Sequence, residues 1–467
     1  MGFFTRSFVY SVVFATFAAV LVNIPNLPPD STFEEFRFAP APPLEGPLAL
    51  NDALNNAEHL FVGEAIAPEG LAIHKNVLYT GLADGRIVAL KNNKLVTVAS
   101  LAKSCEEHKD GHCGHILGLE FDKGGNLFVV DCYTGIYKVN ITTGAVSLAI
   151  PANKPIDGEV PQLPDDVDIG SDGSIYWSDA STKFPLHKIV LSILGDTSGR
   201  LIRTNLKTGK SEVLVKGLRF ANGVFLADDE SYVAVAETFA SRVQRYWLKG
   251  PKKGTAEIFI DNLPGYPDNI SPYKNGGFVV NAFISRDSPD MIGALAPFPN
   301  VRKFFARVIA LSEIALQKMY DAYPNSAVQF ALYHLQHLDA ALVFIQNHHY
   351  IALFYDKNEH DGGWFYKDEK KCQERCDEWY GMFRIRDTKD HPQSVAVGKV
   401  YKFKCICHSS RAVRYAVRGA YKSNFKSTLY RGLHFLGLGN QIKNLYKNIE
   451  YIPYNTYLKE FKTTSHK

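Results

Sequence analysis

Acidic residues are missing from the whole stretch between His391 and Ile449, where eleven Lys and Arg stand without one Asp or Glu. A surface that neutralises its own charge is therefore excluded there, and the stretch suits an anionic partner. Charge of either sign is missing from residues 7–24, SFVYSVVFATFAAVLVNI, which excludes an ordinary solvated N-terminal arm. Cysteine is scarce and odd in number, seven in 467 residues. That excludes a small disulfide scaffold and leaves at least one thiol without an intrachain partner. Low hydrophobicity is absent too: 46% of the chain is hydrophobic and 12% aromatic, so a large buried core is within reach and a disordered chain is not expected.

The net charge of +4 conceals two modules. Residues 368–467 hold twenty Lys and Arg against nine Asp and Glu, so the remainder of the chain is net acidic. At the other end the apolar run stops at Pro25–Pro29. Its seventeen residues from Phe8 to Ile24 sit at the lower edge of the roughly 17–25 needed to cross a hydrocarbon core. No small-x-small cleavage site stands near Val22–Asn26, and Arg6 occupies the place where an N-myristoylation signal needs Ser or Thr. The expectation is a signal-anchor helix over 1–25, a linker over 26–43, a main domain over 44–367 and a basic, cysteine-containing extension over 368–467. A cleaved signal or a buried helix are the alternatives for the first segment. The main domain is placed in the endomembrane system or at the cell surface, on a single-pass type II chain, or secreted if the segment is cleaved.

Between residues 68 and 283 one phrase recurs. It reads PEGLAIHKNVLYTG at Pro68, GHILGLEFDKGGNLFVVD at Gly114, PDDVDIGSDGSIYWSD at Pro164, ANGVFLADDESYVAVAE at Ala221 and PDNISPYKNGGFVVNA at Pro267. Each is a pair of short β-rich runs around a Gly-, Asp- or Asn-bearing turn. With Glu69, Gly118, Asp166, Asn222 and Asn269 as anchors, successive units are 49, 48, 56 and 47 residues apart. Runs such as GRIVAL and GRLIRT supply a third strand, and KLVTVA and SEVLVK a fourth. This is the period of a four-stranded propeller blade, so the expected fold is all-β, a six-bladed β-propeller.

In a propeller the starts of the innermost strands converge on one mouth of the axis. Here that gathers Glu69, Asp165 or Asp166, Asn222, Asp268 and Asn269. A set of carboxylate and amide oxygens with neither His nor Cys suits a hard cation, and calcium takes about 6–8 such ligands. The competing reading is that these residues only cap turns.

The motifs LEGPL at Leu44, ADGRIV at Ala83, GRLI at Gly199, LRFANGV at Leu218, VAVAET at Val233 and NLPGYPDNI at Asn262, with the Cys105/Cys113 loop, carry a resemblance. In order and spacing they resemble the strictosidine synthase-like, paraoxonase-like propeller family, and within it the adipocyte plasma membrane-associated group. The resemblance covers about residues 43–327. It implies a membrane-anchored propeller with arylesterase- or lactonase-type hydrolase activity on a small ester or lactone, Ca2+ as cofactor, and metal ligands at Glu69, Asn222, Asp268 and Asn269. Asp165 stands where the family often has Asn. Paraoxonases place a His directly before the Gly of the second repeat; here that position is Leu117, and His115 lies two residues earlier on the same face of an alternating strand. His115 is the first candidate base and Asp166 the second. Strictosidine synthases use a Glu ahead of an EHDG turn; this chain has Glu359–Gly362 as EHDG but Leu353–Asp356 before it offers no Glu, which argues against Pictet–Spengler chemistry. Residues 330–354 lack the family's strand pattern and read as readily as a helix. A non-catalytic calcium-stabilised propeller that binds a ligand or partner is the rival function.

The loop SCEEHKDGHCG closes readily as a Cys105–Cys113 disulfide, with a zinc site using His108 and His112 as the alternative. Cys132 reads as a buried thiol. Residues 301–320 form an apolar helix face with Arg302, Lys303, Arg307 and Lys318, read either as packed over the sheets or as lying on a membrane. Cys372 and Cys376 with Cys405 and Cys407 allow two bridges or a zinc site, and the basic tail suits anionic lipid rather than nucleic acid. Asn140-Ile141-Thr142 is a glycosylation sequon in a turn; Asn269-Ile270-Ser271 is expected to stay unmodified. Protein made in a secretory host should lose mass on amidase treatment, and Asn140→Gln should abolish that shift; an identical shift in Asn140→Gln would place the glycan elsewhere.

Overall fold

The computed structural model describes residues 3–43, 45, 59–61, 63–105, 113–273, 276–286 and 290–336, and the backbone at 351–355 and 396–397. The chain divides into one unit of Met1–Ala49 with Glu58–Cys407 and another of Leu50–Ala57 with His408–Lys467. The second unit, the four C-terminal cysteines and His108 and His112 lie outside the described residues.

The repeats fold as antiparallel sheets in chain order. After β1 (His59–Leu60), the first sheet is β2 (Leu71–His74), β3 (Val77–Gly81), β4 (Arg86–Lys91) and β5 (Lys94–Ser100). The second is β6 (Ile116–Phe121), β7 (Leu127–Asp131), β8 (Gly135–Val139) and β9 (Val146–Pro151). The third is β10 (Pro164–Ile169), β11 (Ser174–Asp179), β12 (Gly199–Asn205) and β13 (Lys210–Leu218). The fourth is β14 (Ala221–Leu226), β15 (Tyr232–Glu237), β16 (Arg242–Trp247) and β17 (Ala256–Ile260). The fifth holds β18 (Gly265–Pro272), β19 (Phe278–Ser285) and β20 (Ile351–Tyr355), and β21 (Ala396–Val397) pairs in parallel with β1. The expected third and fourth strands are all present. Of the stretch 330–354, which lacks the family's strand pattern, residues 330–336 are helical and Leu353 and Phe354 belong to the third strand of the fifth sheet.

Why these runs become strands is visible in their burial. β7, β11 and β15 are buried at every position, because each sheet is packed on both faces and adjacent residues serve different cores. Trp177 packs with Phe128, Val130 and Ile136 of the second sheet, and its neighbour Tyr176 with Val224, Leu226 and Val235 of the fourth. The same stacking joins the first sheet to the second and the fourth to the fifth. Outer strands β5 and β17 alternate toward solvent. Tight hairpins follow from residues that tolerate positive φ, as at Lys75-Asn76 (φ 49 and 62) and Asn92-Asn93 (φ 51 and 57).

One carboxylate ends the second strand of three sheets and takes an N–H from the entry to that sheet's own first strand. Asp131 accepts from Gly114 N, Asp179 from Leu163 N at 3.3 Å and Glu237 from Arg219 N at 3.0 Å. Asp179 is also paired with Arg200 at 2.6 Å, both side chains nearly fully buried. Burial pushes the Asp179 carboxyl up to about 6 against the opposing pull of Arg200.

Connections between second and third strands all emerge at the end where first strands begin. They carry α2 (Ala102–Cys105) on the neighbouring link, α3 (Ile189–Gly195), α4 (Met291–Leu295), α5 (Pro299–Ala322) and α6 (Ser326–Gln336). The N-terminal helix α1 (Phe3–Asn23) packs on α5, with Phe14 and Phe304 ring centroids 5.8 Å apart. Among the described residues no helix is long and apolar enough to cross a membrane. Residues 26–43, read as a linker, are instead a docked strap. Phe33 is buried among Val190, Leu194 and Ala306, Arg219 stacks 4.0 Å from the Phe36 ring, and Arg286 donates to Ala39 O at 2.8 Å.

Asp179→Ala strands Arg200 in the interior without its partner. Unfolding by urea should show a loss of about 3–5 kcal/mol; a loss under about 1 kcal/mol would mean that the pair behaves like an exposed one.

Candidate metal centre

The first strands of the second to fifth sheets open on a two-residue bulge. In β6, Leu117 and Gly118 together face Val130; in β10, Asp165 and Asp166 face Ser178; in β14, Asn222 and Gly223 face Ala236; in β18, Asp268 and Asn269 face Asn281. Glu69 and Gly70 hold the same place just before β2.

Gly70, Gly118, Asp166 and Gly223, the second members of four pairs, are turned to the next sheet. A Cβ on Gly70 would lie 2.6 Å from Leu117 O, on Gly118 2.7 Å from Asp165 O, and on Gly223 2.6 Å from Asn269 C. Backbones approach so closely there that glycine is required at three of five positions. Where the residue is Asp166, its Oδ2 instead accepts the Val224 N–H of the neighbouring strand at 3.0 Å, and two residues on Asp168 Oδ2 accepts Leu226 N at 2.6 Å. Asp166, the second candidate base from sequence, is thus engaged in joining β10 to β14. Burial raises Asp168 to about 7.

The first members are the candidates for a ring about the axis: Glu69, Leu117, Asp165, Asn222 and Asp268. Structural equivalence therefore runs through these residues, at separations of 48, 48, 57 and 46, one residue off the sequence anchors in the second, third and fifth units. Asn222 Nδ2 donates to Asp268 Oδ1 at 2.8 Å. Because a carboxylate only accepts, that bond fixes which amide atom is nitrogen and leaves Asn222 Oδ1 turned away. Asn222 Oδ1 is buried with no hydrogen-bond partner, and so is Asn269 Oδ1. The buried Cys132 thiol is pushed well up, by burial first and then by the charges of Asp131, Asp165 and Glu69.

Buried acceptor oxygens with nothing to accept from, beside carboxylates, fit a hard cation. Glu69, Asp165, Asn222, Asp268 and Asn269 are the residues that could hold Ca2+. Among the described residues, the group of His, Cys, Asp or Glu whose ligand atoms all lie within 4.8 Å of one another is Cys105, Cys113 and Asp131. It is no metal site, because Cys105 and Cys113 are disulfide-bonded with Cα atoms 5.5 Å apart. The loop disulfide expected from sequence is present.

Two residues before the second to fifth ring positions stand His115, Leu163, Phe220 and Tyr266 in one row. Sequence reasoning found only His115 in it, although the same offset from LPDD, FANG and YPDN marks the other three. Burial lowers the His115 pKa from its ordinary value. Leu117, Leu163, Phe220 and Tyr266 cluster with Cys132, Phe239 and Ile284, and Phe38 of the strap packs against them. Phe38 and Tyr266 ring centroids are 6.0 Å apart. Asn140 is exposed in its turn, its Oδ1 accepting from Thr142 N and Thr143 N, whereas Asn269 is buried.

A strictosidine synthase family profile matches residues 165–251, and a strictosidine synthase-like N-terminal profile matches residues 46–90. The adipocyte plasma membrane-associated protein of Rattus norvegicus is 35% identical over 283 residues, 59% of this chain and 75% of that one. The chain belongs to the adipocyte plasma membrane-associated protein family. The Homo sapiens member of the family is 34% identical, covering 63% of this chain and 71% of its own. The family's Hemomucin of Drosophila melanogaster is 34% identical over 339 residues, 71% of this chain. The chain spans 58% of that relative's length. Solved structures with a likeness include a Xanthomonas campestris gluconolactonase, with a TM-score of 0.37, 15% identity, and coverage of 53% of this chain and 84% of that one. Another is a calcium-binding regucalcin of Agrobacterium tumefaciens, with a TM-score of 0.35, 13% identity, and coverage of 47% and 68%.

Calcium should raise the melting temperature, since a ligand at 100 times its Kd adds about 2.7 kcal/mol to the folded state. Asp268→Ala or Asn222→Ala should remove most of that increment in calorimetry with and without chelator. A parent protein indifferent to chelator would contradict the assignment.

Proposed function

We propose that this member of the adipocyte plasma membrane-associated family is a calcium-dependent hydrolase of small esters or lactones, built on a six-bladed propeller held at a membrane. The observation that carries the metal is the Asn222–Asp268 bond, which turns a buried, partnerless amide oxygen away from the carboxylate. Six blades are supported by stacking: five sheets joined through four shared cores leave one face of the first and one of the fifth without a partner sheet among the described residues. The relatives' name supports membrane association, and α1 is the segment suited to provide it.

When bound, Ca2+ supplies Lewis-acid polarisation of the scissile carbonyl. Glu69, Asp165, Asn222, Asp268 and Asn269 orient that site. His115, in the row above the ring, takes a proton from water; burial favours its neutral form, which is the form a base needs. The apolar row of Leu163, Phe220 and Tyr266 excludes water and favours an apolar acyl or alcohol group.

A second reading rests on the same row. Leu163, Phe220 and Tyr266 of that row, with Leu117 beside them, are each at most 4% exposed, so the row is packed shut. A closed apolar row suits a calcium-stabilised binding module without turnover.

Phenyl acetate and a lactone panel, assayed with calcium and with chelator, separate the two. Hydrolysis should require calcium, and His115→Gln should lower it by about 10²–10⁴ with the melting temperature unchanged. Because the His115 pKa is lowered, the acidic limb of the rate profile should lie below the ordinary histidine value and vanish in His115→Gln. Calcium-dependent stability with no turnover on any member of the panel would establish the binding module instead.

A further inference from the structure

Helix α5 is built inside out. Val301, Phe305, Val308, Ser312, Ala315 and Met319 recur at alternating spacings of four and three, which sets them on one face. The four large apolar members of that face are between 37% and 55% exposed. The opposite face carries Arg302 and Arg307, only 2% and 4% exposed, with Ala306 and Ala310. A helix over a soluble core has the reverse arrangement.

The arginines are inside because they take the backbone carbonyls of neighbouring segments. Arg302 donates to Leu194 O at 2.6 Å, to Ala296 O at 3.2 Å and to Glu34 O. Burial lowers its pKa to about 10. Arg307 donates to Leu21 O and to Val22 O, the carbonyls of the last turn of α1. Through that cap and the Phe14–Phe304 contact, α1 and α5 are fixed to one another. Phe14, Phe17 and Val20 of α1 are likewise exposed, so the apolar surface is continuous across both helices.

We infer that the outward face of α5, joined to α1, is an in-plane lipid-docking surface that sets the mouth of the sheet ring against a bilayer. The occupant is the acyl and headgroup boundary of a membrane. Continuity with the uncharged run of residues 7–24 argues for it, as does exposed Lys318 beside Met319, placed to reach the headgroups while its neighbour enters the apolar layer. Both helices lie at the mouth for a topological reason: α5 links a second strand to a third, and such links emerge where first strands begin. An apolar substrate partitioned in the membrane then reaches the ring without crossing water. The inference needs no catalysis and is tested without it.

The full chain is reconstituted in vesicles of phosphatidylcholine and phosphatidylserine, with or without bromine on the acyl chains. Phe305→Trp supplies a reporter on the outward face, read as emission above that of the parent. Val96→Trp, on an exposed outer strand of the first sheet, is the control. Brominated lipid should quench most of the added Phe305→Trp emission and leave Val96→Trp unchanged. Equal, unquenched emission from both would overturn the inference. So would a blue-shifted Phe305→Trp signal that needs no lipid and resists bromine, which would mean that another part of the chain covers the face. A dimer in light scattering that Phe305→Asp dissociates, without quenching, would give the face to a second copy and overturn it equally. Preserved calorimetric melting in each variant shows that the fold is intact.

Discussion

The bulge that opens the first strand of four sheets, with Glu69-Gly70 in the same place ahead of β2, is the constraint on which the rest depends. Strands that start around a common axis crowd one another, and inserting one extra residue lets two consecutive side chains leave on different courses. One goes to the axis and one to the neighbouring sheet. The neighbour-facing member must be small where backbones nearly touch, hence Gly70, Gly118 and Gly223, or must itself bond the neighbour, as Asp166 does. The axis-facing member is then free to be chemical, and here it is an oxygen donor in four of five sheets. Sheet packing and donor placement are thus consequences of the same local irregularity.

The polar anchors at the other end of the hairpin keep that geometry in place. Asp131, Asp179 and Glu237 each tie the exit of the second strand to the entry of the first, so the bulge cannot slide in register without stranding a buried carboxylate. Leu117 is the exception at the axis. Its apolar side chain joins Leu163, Phe220 and Tyr266 in the roof, and the strap with Phe36 and Phe38 lies over them under Arg219 and Arg286. An apolar layer to which the N-terminal segment is directly attached therefore lies beside the donor positions, of which Asp165 and Asn222 are buried and Glu69 and Asp268 half-buried.

Much of this was legible in the residues alone. Strand runs and turns declared themselves because continuous apolar runs such as YVAVA have few other uses in a β-rich chain, and the 48-residue repeat made their equivalence plain. The bulge pairs were legible to within one residue: Gly118, Asp166 and Asn269 looked like anchors because glycine and Asx residues dominate the motif, but pairing register, which sequence does not display, moves the equivalence to Leu117, Asp165 and Asp268. The row of His115, Leu163, Phe220 and Tyr266 was hidden because three of its members look like ordinary core. The strap was missed because its partners, Arg219, Arg286 and Arg302, are more than 180 residues away in the chain. The inverted helix was half-read: its period was evident, but only burial reveals that the arginines are the inward face.

The measurement that bears most directly on the account is an experimental structure of the protein grown with calcium. The account predicts one ion with Asn222 Oδ1 and oxygens of Glu69 and Asp268 at about 2.3–2.6 Å, with Asn222 Nδ2 still donating to Asp268. An axis without an ion, and an Asn222 Oδ1 accepting from a protein N–H or O–H instead, would contradict it.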